Sequence, residues 1–419
     1  MNYAKQGLLG RALAHARQCC KVHKIYARGL AAQSASLQWD AHRLSEDQLN
    51  FRELAWGFAQ QELMPFAADW DRKEHFPVDV LRKAAKLGFG GLFCSSDFGG
   101  SKLTRADGAV IFETLAYGDV ATTAYLTIHN MCCSLIDKFG SEELRAQWLP
   151  RLTTMELLSS YCLTEPDSGS DAASLQTTAR QKLGHTDYIL NGSKAFISGG
   201  GVSDVYLVMA RTGMDGPKGI TCFLLEKGMA GLSFGRPEHK LGWRSQPTTS
   251  ITLDNVKVPR ANMVGGENEG FKVALSGLDG GRINIAACSV GGAQFCLDAC
   301  EEYVKRRKQF GKAIADFQNT QFKLSDMVMR VQASRLMVAH AASAFDVNAP
   351  GMTATVAMAK RFATEACYGV CNDALQLHGG YGYLNDYPIE RYVRDLRVHT
   401  ILEGTNEIMQ MVIARQMMR

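Results

Sequence analysis

The spacing of apolar positions changes twice along the chain and predicts three blocks. From Ser45 to about residue 159, Leu49, Phe51, Leu54, Phe58 and Leu63 recur at helical intervals, with Ser45 placed as an N-cap. Val80, Leu81, Ala84 and Leu87 repeat that spacing until Gly88-Phe89-Gly90-Gly91 interrupts it, and the stretches 110–117 and 125–139 read as further buried helices. Between about Ser160 and Arg260 the pattern becomes that of strands. Asp187–Leu190, then Asn191-Gly192, then Lys194–Ser198 predicts a β-hairpin, with 205–210 and 220–225 as buried strands. Two more strands are expected at 248–253 and 256–258. From about Gly270 long helical patterns return at 271–305, 317–345 and 352–377, joined by short connections as in a four-helix bundle. The expected class is α+β and multidomain: an N-terminal α-helical domain (41–159), a middle antiparallel β domain (160–262) and a C-terminal four-helix-bundle domain (263–419). No G-x-G-x-x-G follows a strand, so a nucleotide cofactor would have to be held by other means than a Rossmann turn.

Composition narrows the function classes. Hydrophobic content of 46% and charged content of 21% over 419 residues are those of an ordinary globular protein with a large core. The formal charge of +4 is concentrated at the start: Lys5, Arg11, Arg17, Lys21, Lys24 and Arg28 precede Asp40, the first acid. The rest of the chain is slightly negative, which argues against a nucleic-acid surface. Leu8, Leu9, Leu13 and Ala16 share a helical face opposite Lys5 and Arg11, so residues 1–40 read as a mitochondrial presequence and the expected location is the mitochondrial matrix. No uninterrupted apolar run reaches about 18 residues, so no transmembrane helix is expected. Twelve cysteines without C-x-x-C spacing read as reduced core thiols, and no metal site is expected.

Three segments carry candidate chemistry. The loop Tyr161-Cys162-Leu163-Thr164-Glu165-Pro166-Asp167-Ser168-Gly169-Ser170 leaves a strand and turns at Pro166 and Gly169, offering hydroxyls and backbone N–H groups to a ring edge or to phosphate. Gln376-Leu377-His378-Gly379-Gly380 ends a long helix with more glycine than a C-cap requires. Near the end, Glu403 precedes Gly404, and Thr405 is placed to cap a short apolar helix. That carboxylate fits either a favourable acid at a helix start or a desolvated base.

Together, in this order and on an α–β–α background, these segments resemble the acyl-CoA dehydrogenase family over about residues 45–419. The resemblance implies FAD as cofactor. Residues 161–170 would wrap it, Phe196, Ile197 and Ser198 would stand behind its ring, and Arg307, Phe317 and Gln318 would reach it from a neighbouring subunit. Gln376 to Gly380 would take the adenosine end, and Thr405, Asn406 and Glu407 would return to it. Ser170, Asp279, Gly280, Gly281, Arg282 and Arg415 would meet the acyl-CoA. Glu403 would remove the α-proton while flavin N5 takes the β-hydride, and electrons would pass to electron-transfer flavoprotein from a homotetramer. In some relatives the base stands one residue before the arginine of that substrate helix; here that position is Gly281.

Segments 122–125, 128–132 and 277–286 resemble family members acting on isobutyryl-CoA, implying its conversion to methacrylyl-CoA in valine breakdown, with 2-methylbutyryl-CoA or another short acyl-CoA as the alternative. Gly281 and Leu402 would make room for a short branched acyl chain. An oxygen-using oxidase and a catalytically silent acyl-CoA-binding or assembly protein are the competing readings. The chain is short for the oxidase, and an intact Glu403 opposes the silent one.

Overall fold

The computed structural model describes residues 44–181, 184 and 186–418. The predicted presequence therefore lies outside the described residues. Among the described residues six α-helices come first: α1 (Glu46–Phe58), α2 (Ala67–Lys73), α3 (Val78–Lys86), α4 (Arg105–Gly118), α5 (Val120–Phe139) and α6 (Glu142–Thr153). Their starts are encoded locally. Ser45 and Gln48 form a reciprocal capping box at α1, Thr104 and Asp107 form another at α4, and the Asp119 carboxylate caps α5.

Eight strands follow: β1 (Ser159–Cys162), β2 (Thr178–Gln181), β3 (Tyr188–Ser198), β4 (Val205–Arg211), β5 (Ile220–Glu226), β6 (Leu232–Phe234), β7 (Thr248–Val258) and β8 (Met263–Val264). They form one sheet in the order β6-β7-β3-β2-β4-β5-β8, with β1 also paired to β4. Most pairs are antiparallel, as expected; β1 and β2 each run parallel to β4.

Two local expectations are corrected. Asn191-Gly192 is not a hairpin turn, because β3 runs straight through it and both halves pair with β7. The segments 248–253 and 256–258 are likewise one strand. The turn residues instead serve a bulge: the β3–β7 register shifts between Leu190 and Gly192, and Asn255 opposite takes a left-handed φ of 55°. The Asn255 N–H donates to Asn191 Oδ1 at 2.8 Å. A Cβ at Gly192 would fall 2.7 Å from the Thr177 Cα, so the glycine permits a close backbone approach.

The last block holds α7 (Gly270–Arg306), a small hairpin of β9 (Lys308–Gln309) and β10 (Lys312–Ala313), then α8 (Gln318–Asp346), α9 (Met352–His378), α10 (Ile389–Arg397) and α11 (Asn406–Met417). The three long helices begin and end within a residue or so of the sequence pattern. Helix α7 is long and apolar enough to cross a membrane, but its apolar window is wholly buried in the protein, where it packs against α4, α5, α8 and α9 and touches β5. Gly291 and Gly292 let α4 and α10 approach it closely.

The opening and closing helical blocks share a single apolar core, from Ala55 and Phe112 through Val290 to Ala363 and Leu396. A bidentate pair from Arg394 on α10 to Asp71 on α2, at 2.9 and 2.7 Å, ties the same two blocks at their edge. The sheet is covered on one face by α5, α6 and the start of α7, so the end of β1 opens toward the helical core.

Candidate active site

Glu403 lies where the chain reverses between α10 and α11. A short turn at Val398–Thr400 leads in, and the N–H groups of Ile401 and Leu402 both donate to Val398 O. Glu403 and Gly404 then take left-handed φ values of 58° and 88°. At Gly404 it is the φ of 88° that calls for glycine; a Cβ there would also meet the movable Met409 Cε at 2.7 Å. For the glutamate this conformation costs about 1–3 kcal/mol and needs support from its surroundings. Two buried cations supply it. Arg282 Nε donates to Glu403 O at 3.0 Å, and Lys360 Nζ donates to Gly404 O at 2.8 Å and to Asn406 Oδ1 at 3.0 Å. Arg282 is itself fixed by Asp279 at 2.7 Å, whose other oxygen accepts from Thr353 at 3.1 Å. The Thr405 hydroxyl caps α11 by accepting from the Ile408 N–H.

The Glu403 side chain is enclosed, although part of the residue stays accessible. Its Oε2 is buried without a hydrogen-bond partner, and its backbone N–H donates to no other described residue. The carboxylate rests on α7 at Gly281: a Cβ there would fall 2.5 Å from Oε2 and 2.7 Å from Cδ. This corrects one expectation. The space cleared by Gly281 is filled by the carboxylate, not left for an acyl chain. Burial pushes the carboxyl up to about 7, against the pull of Arg282, Lys360 and Arg105 toward ionisation. Lys360 is pushed down to about 8 by burial.

The 161–170 loop leaves β1 beside this region, and the Tyr161 hydroxyl donates to Ala274 O on α7 at 3.3 Å. Its turn is closed by a bridge between Glu165 and Ser168. The Glu165 carboxylate points inward, paired with buried Lys194 at 2.7 Å and accepting from the Gln176 and Thr177 N–H groups. Lys194 also donates to Leu163 O. The Glu165 side chain therefore shapes the loop, and Cys162 and Leu163 are buried. Thr164 is half-buried, Pro166, Asp167, Gly169 and Ser170 are exposed, and Ser168 donates back to Asp171 O.

Across from the loop, Phe196 is 71% exposed at a φ of 58°, Ile197 is buried in the sheet core, and Ser198 accepts from Gln246 Nε2 at 3.4 Å. The buried Gln246 Oε1, and Ser245 Oγ and Trp243 Nε1 close to it in sequence, have no partner among the described residues. An exposed aromatic ring at the end of β3 suits contact with a planar heteroaromatic group.

A separate cluster forms beyond the end of α7. Arg307 lies over the Tyr381 ring at 5.5 Å, Phe317 meets Phe310 edge-on, and Gln318 is exposed at the first turn of α8. Gln376 is exposed and Leu377 half-buried. His378 stacks on Tyr303 at 4.2 Å and lies with its Nδ1 against Ala374 O. Gly379 and Gly380 face open space, so a ligand has room to approach their backbone. Asn406 is buried under Lys360, and Glu407 is exposed at the start of α11. Arg415 is exposed in the last turn of α11, roughly 13 Å along that helix from Asn406.

The family models for acyl-CoA dehydrogenases match nearly the whole described chain: the N-terminal domain over residues 45–156, the middle domain over 160–256 and the C-terminal domain over 268–418. The chain belongs to the acyl-CoA dehydrogenase family. It is 55% identical to the mitochondrial isobutyryl-CoA dehydrogenase of Dictyostelium discoideum over 375 residues, 89% of this chain and 90% of that one. Among solved structures it resembles butyryl-CoA dehydrogenase from Megasphaera elsdenii at a TM-score of 0.87 and 37% identity, covering 90% of this chain and 99% of that one. It also resembles PigA with FAD and proline at a TM-score of 0.87 and 32% identity, covering 89% and 98%.

Sequence reasoning missed two cations at the site. Lys360 had a readable signal: it occupies a core position among Val356, Ala359 and Ala363 on α9, where an unpaired lysine is out of place. Arg105, the first residue of α4, had none, because a helix-start arginine ordinarily faces water.

Proposed function

We propose that this chain is a mitochondrial matrix dehydrogenase that converts isobutyryl-CoA to methacrylyl-CoA, with Glu403 removing the α-proton. The observation that carries the assignment of Glu403 is its carboxylate: enclosed against Gly281, with one oxygen unpartnered, on backbone pinned by Arg282 and Lys360. A carboxyl pushed up to about 7 is a stronger base than a free carboxylate and remains partly ionised at neutral pH, so with enolate stabilisation it can take the α-proton. The free N–H of Glu403 is a donor for the thioester oxygen, where negative charge develops as the α-proton leaves. Asp279 and Arg282 would meet the CoA arm beside it.

FAD supplies the acceptor for the β-hydride. The exposed parts of the 161–170 loop, Phe196 and Ser198 would hold its ring. Open Gly379 and Gly380, with Arg307, Phe317 and Gln318, form a second cradle suited to the adenosine end, supplied between subunits of a homotetramer. Phe310 and Tyr383 are 93% and 82% exposed at that end, which favours burial against another copy. Electrons would leave to electron-transfer flavoprotein.

The isobutyryl preference rests on the relative from Dictyostelium discoideum and on Leu402, whose side chain packs on the core beside the base. A single methyl group is worth only about 1–3 kcal/mol of discrimination, so 2-methylbutyryl-CoA should keep some turnover. The decisive experiment is Glu403→Gln in the FAD-loaded enzyme. It should bind isobutyryl-CoA and lose dehydrogenation roughly 10²–10⁴-fold or more. Near-normal flavin bleaching would remove Glu403 from the reaction, and a higher kcat/KM for 2-methylbutyryl-CoA would overturn the substrate assignment.

A further inference from the structure

Consecutive glycines on α7 each admit one charged group. Gly281 receives the Glu403 carboxylate. Gly280 receives the guanidinium of Arg105, whose Cζ would lie 2.7 Å from a Cβ at that position, with NH2 and NH1 at 2.8 and 3.0 Å. We infer that Arg105 is a positioning residue for the reaction: its guanidinium, seated at Gly280, fixes the charge and the place of the Glu403 carboxylate seated at Gly281. This rests on the reading of Glu403 as the base.

Arg105 comes from α4, far from the catalytic segment in sequence, and its residue is 8% exposed. The guanidinium lies over the Phe93 ring at 3.6 Å, with Phe345 at 5.2 Å on another side. Its NH2 has only a 3.5 Å contact to Ser134 Oγ, and its NH1 is buried with no partner. The carboxylate of Asp346 lies close enough to offset part of the charge, but its oxygens accept from the backbone N–H groups of Arg105 and Ala106, at 2.7 and 3.0 Å. A buried guanidinium with no carboxylate bonded to it is costly, and its ring contacts offset only part of that cost.

The groups facing Glu403 explain its presence. From α7, Arg282 is countered by Asp279. From α9, Lys360 spends its hydrogens on Gly404 O and Asn406. From α5 and β1, Cys132 and Tyr161 feel the carboxylate's charge, and burial keeps both neutral. Arg105, from α4, keeps an unbonded N–H, sits at the glycine next to the one holding the carboxylate, and its charge pulls that carboxylate toward ionisation. It favours the ionised base without bonding to it, so the oxygens stay free for the proton.

Arg105 also lines a cleft of ≈ 220 Å³ with Phe93, Leu103, Ser134, Lys138 and Phe345, large enough for a guanidinium ion. The test is the pH profile of kcat/KM for isobutyryl-CoA in FAD-loaded full-length enzyme. Arg105→Gln should move the acid limb upward by about one pH unit, a roughly tenfold loss below the limb. Arg105→Lys, whose ammonium stands farther from Gly280, should give an intermediate shift, and millimolar guanidinium should partly restore Arg105→Ala. An unmoved limb in whichever of the Gln and Lys variants retains FAD overturns the assignment, as does an Ala variant indifferent to guanidinium. The two readings separate cleanly. Turnover by Glu403→Gln defeats the base, whereas an inactive Glu403→Gln beside an unmoved limb in the Arg105 variants defeats Arg105 alone.

Discussion

Gly281→Ala places a methyl group where the carboxylate of the proposed base, Glu403, rests. The new Cβ would sit 2.5 Å from Oε2, 2.7 Å from Cδ and 2.7 Å from Oε1 of Glu403. Non-bonded contact requires about 3.5 Å, so the carboxylate must retreat by about 1 Å. It is the end of a side chain, and the helix around Gly281 is regular, so the side chain yields and the backbone does not. The stability terms nearly cancel. Alanine is favoured over glycine inside a helix by about 1 kcal/mol, and pushing Glu403 off its rotamer costs about 0.5–1.5 kcal/mol. Activity should respond quite differently, because a displacement of about 1 Å at a reacting group costs on the order of 10²-fold. The assay is steady-state turnover of isobutyryl-CoA with electron-transfer flavoprotein, beside thermal unfolding of the same FAD-loaded preparation. The expected result is a melting temperature within a few degrees of wild type and a kcat lowered roughly 10- to 100-fold. A variant with kcat within about threefold of wild type would refute the placement of the base at Gly281.

Two further outcomes follow from the same geometry. Glu403 is raised from 4.5 to about 7, so between those values the folded protein holds a proton that the unfolded chain has released. Its contribution to stability is full below pH 4.5 and is lost as pH rises to about 7, amounting to about 3 kcal/mol. Urea unfolding of Glu403→Gln holoenzyme at pH 5 and pH 8 should therefore show a pH dependence smaller by about 2–3 kcal/mol, and equal dependences would contradict the burial argument. Glu165→Ala leaves Lys194 charged, enclosed and without its anion, and removes the acceptor for two loop N–H groups. It should cost about 3–5 kcal/mol and yield protein depleted of flavin absorbance, whereas a yellow variant with wild-type unfolding would show that the pair does not hold the loop.

Legibility from sequence followed the range of the interactions involved. Helix starts at Ser45 and Thr405 were readable because a cap is decided within four residues, and the long helices because apolar period integrates over many. The Asn191-Gly192 dipeptide misled for the same reason in reverse. Its left-handed preference is local, but whether it closes a hairpin or accommodates a bulge depends on Asn255, 64 residues away on β7. The candidate site divides along the same line. Glu403, Gly404 and Thr405 announce a turn with an acid in it, since a glycine after an acid and a cap after the glycine are adjacent facts. What makes that acid a plausible base is not adjacent. Arg282 and Lys360 hold its backbone from α7 and α9, Gly281 gives it room, and Arg105 faces it from α4. Each of those residues reads as ordinary in its own helix: a glycine that weakens, an arginine at a helix start, a lysine on an apolar face. The glycine pair is the instructive case. Gly280-Gly281 in the interior of α7 costs about 2 kcal/mol in helix propensity relative to alanine, a sacrifice with no local return. A return exists only in three dimensions, where two side chains from opposite ends of the chain occupy the two missing Cβ positions with opposite charge.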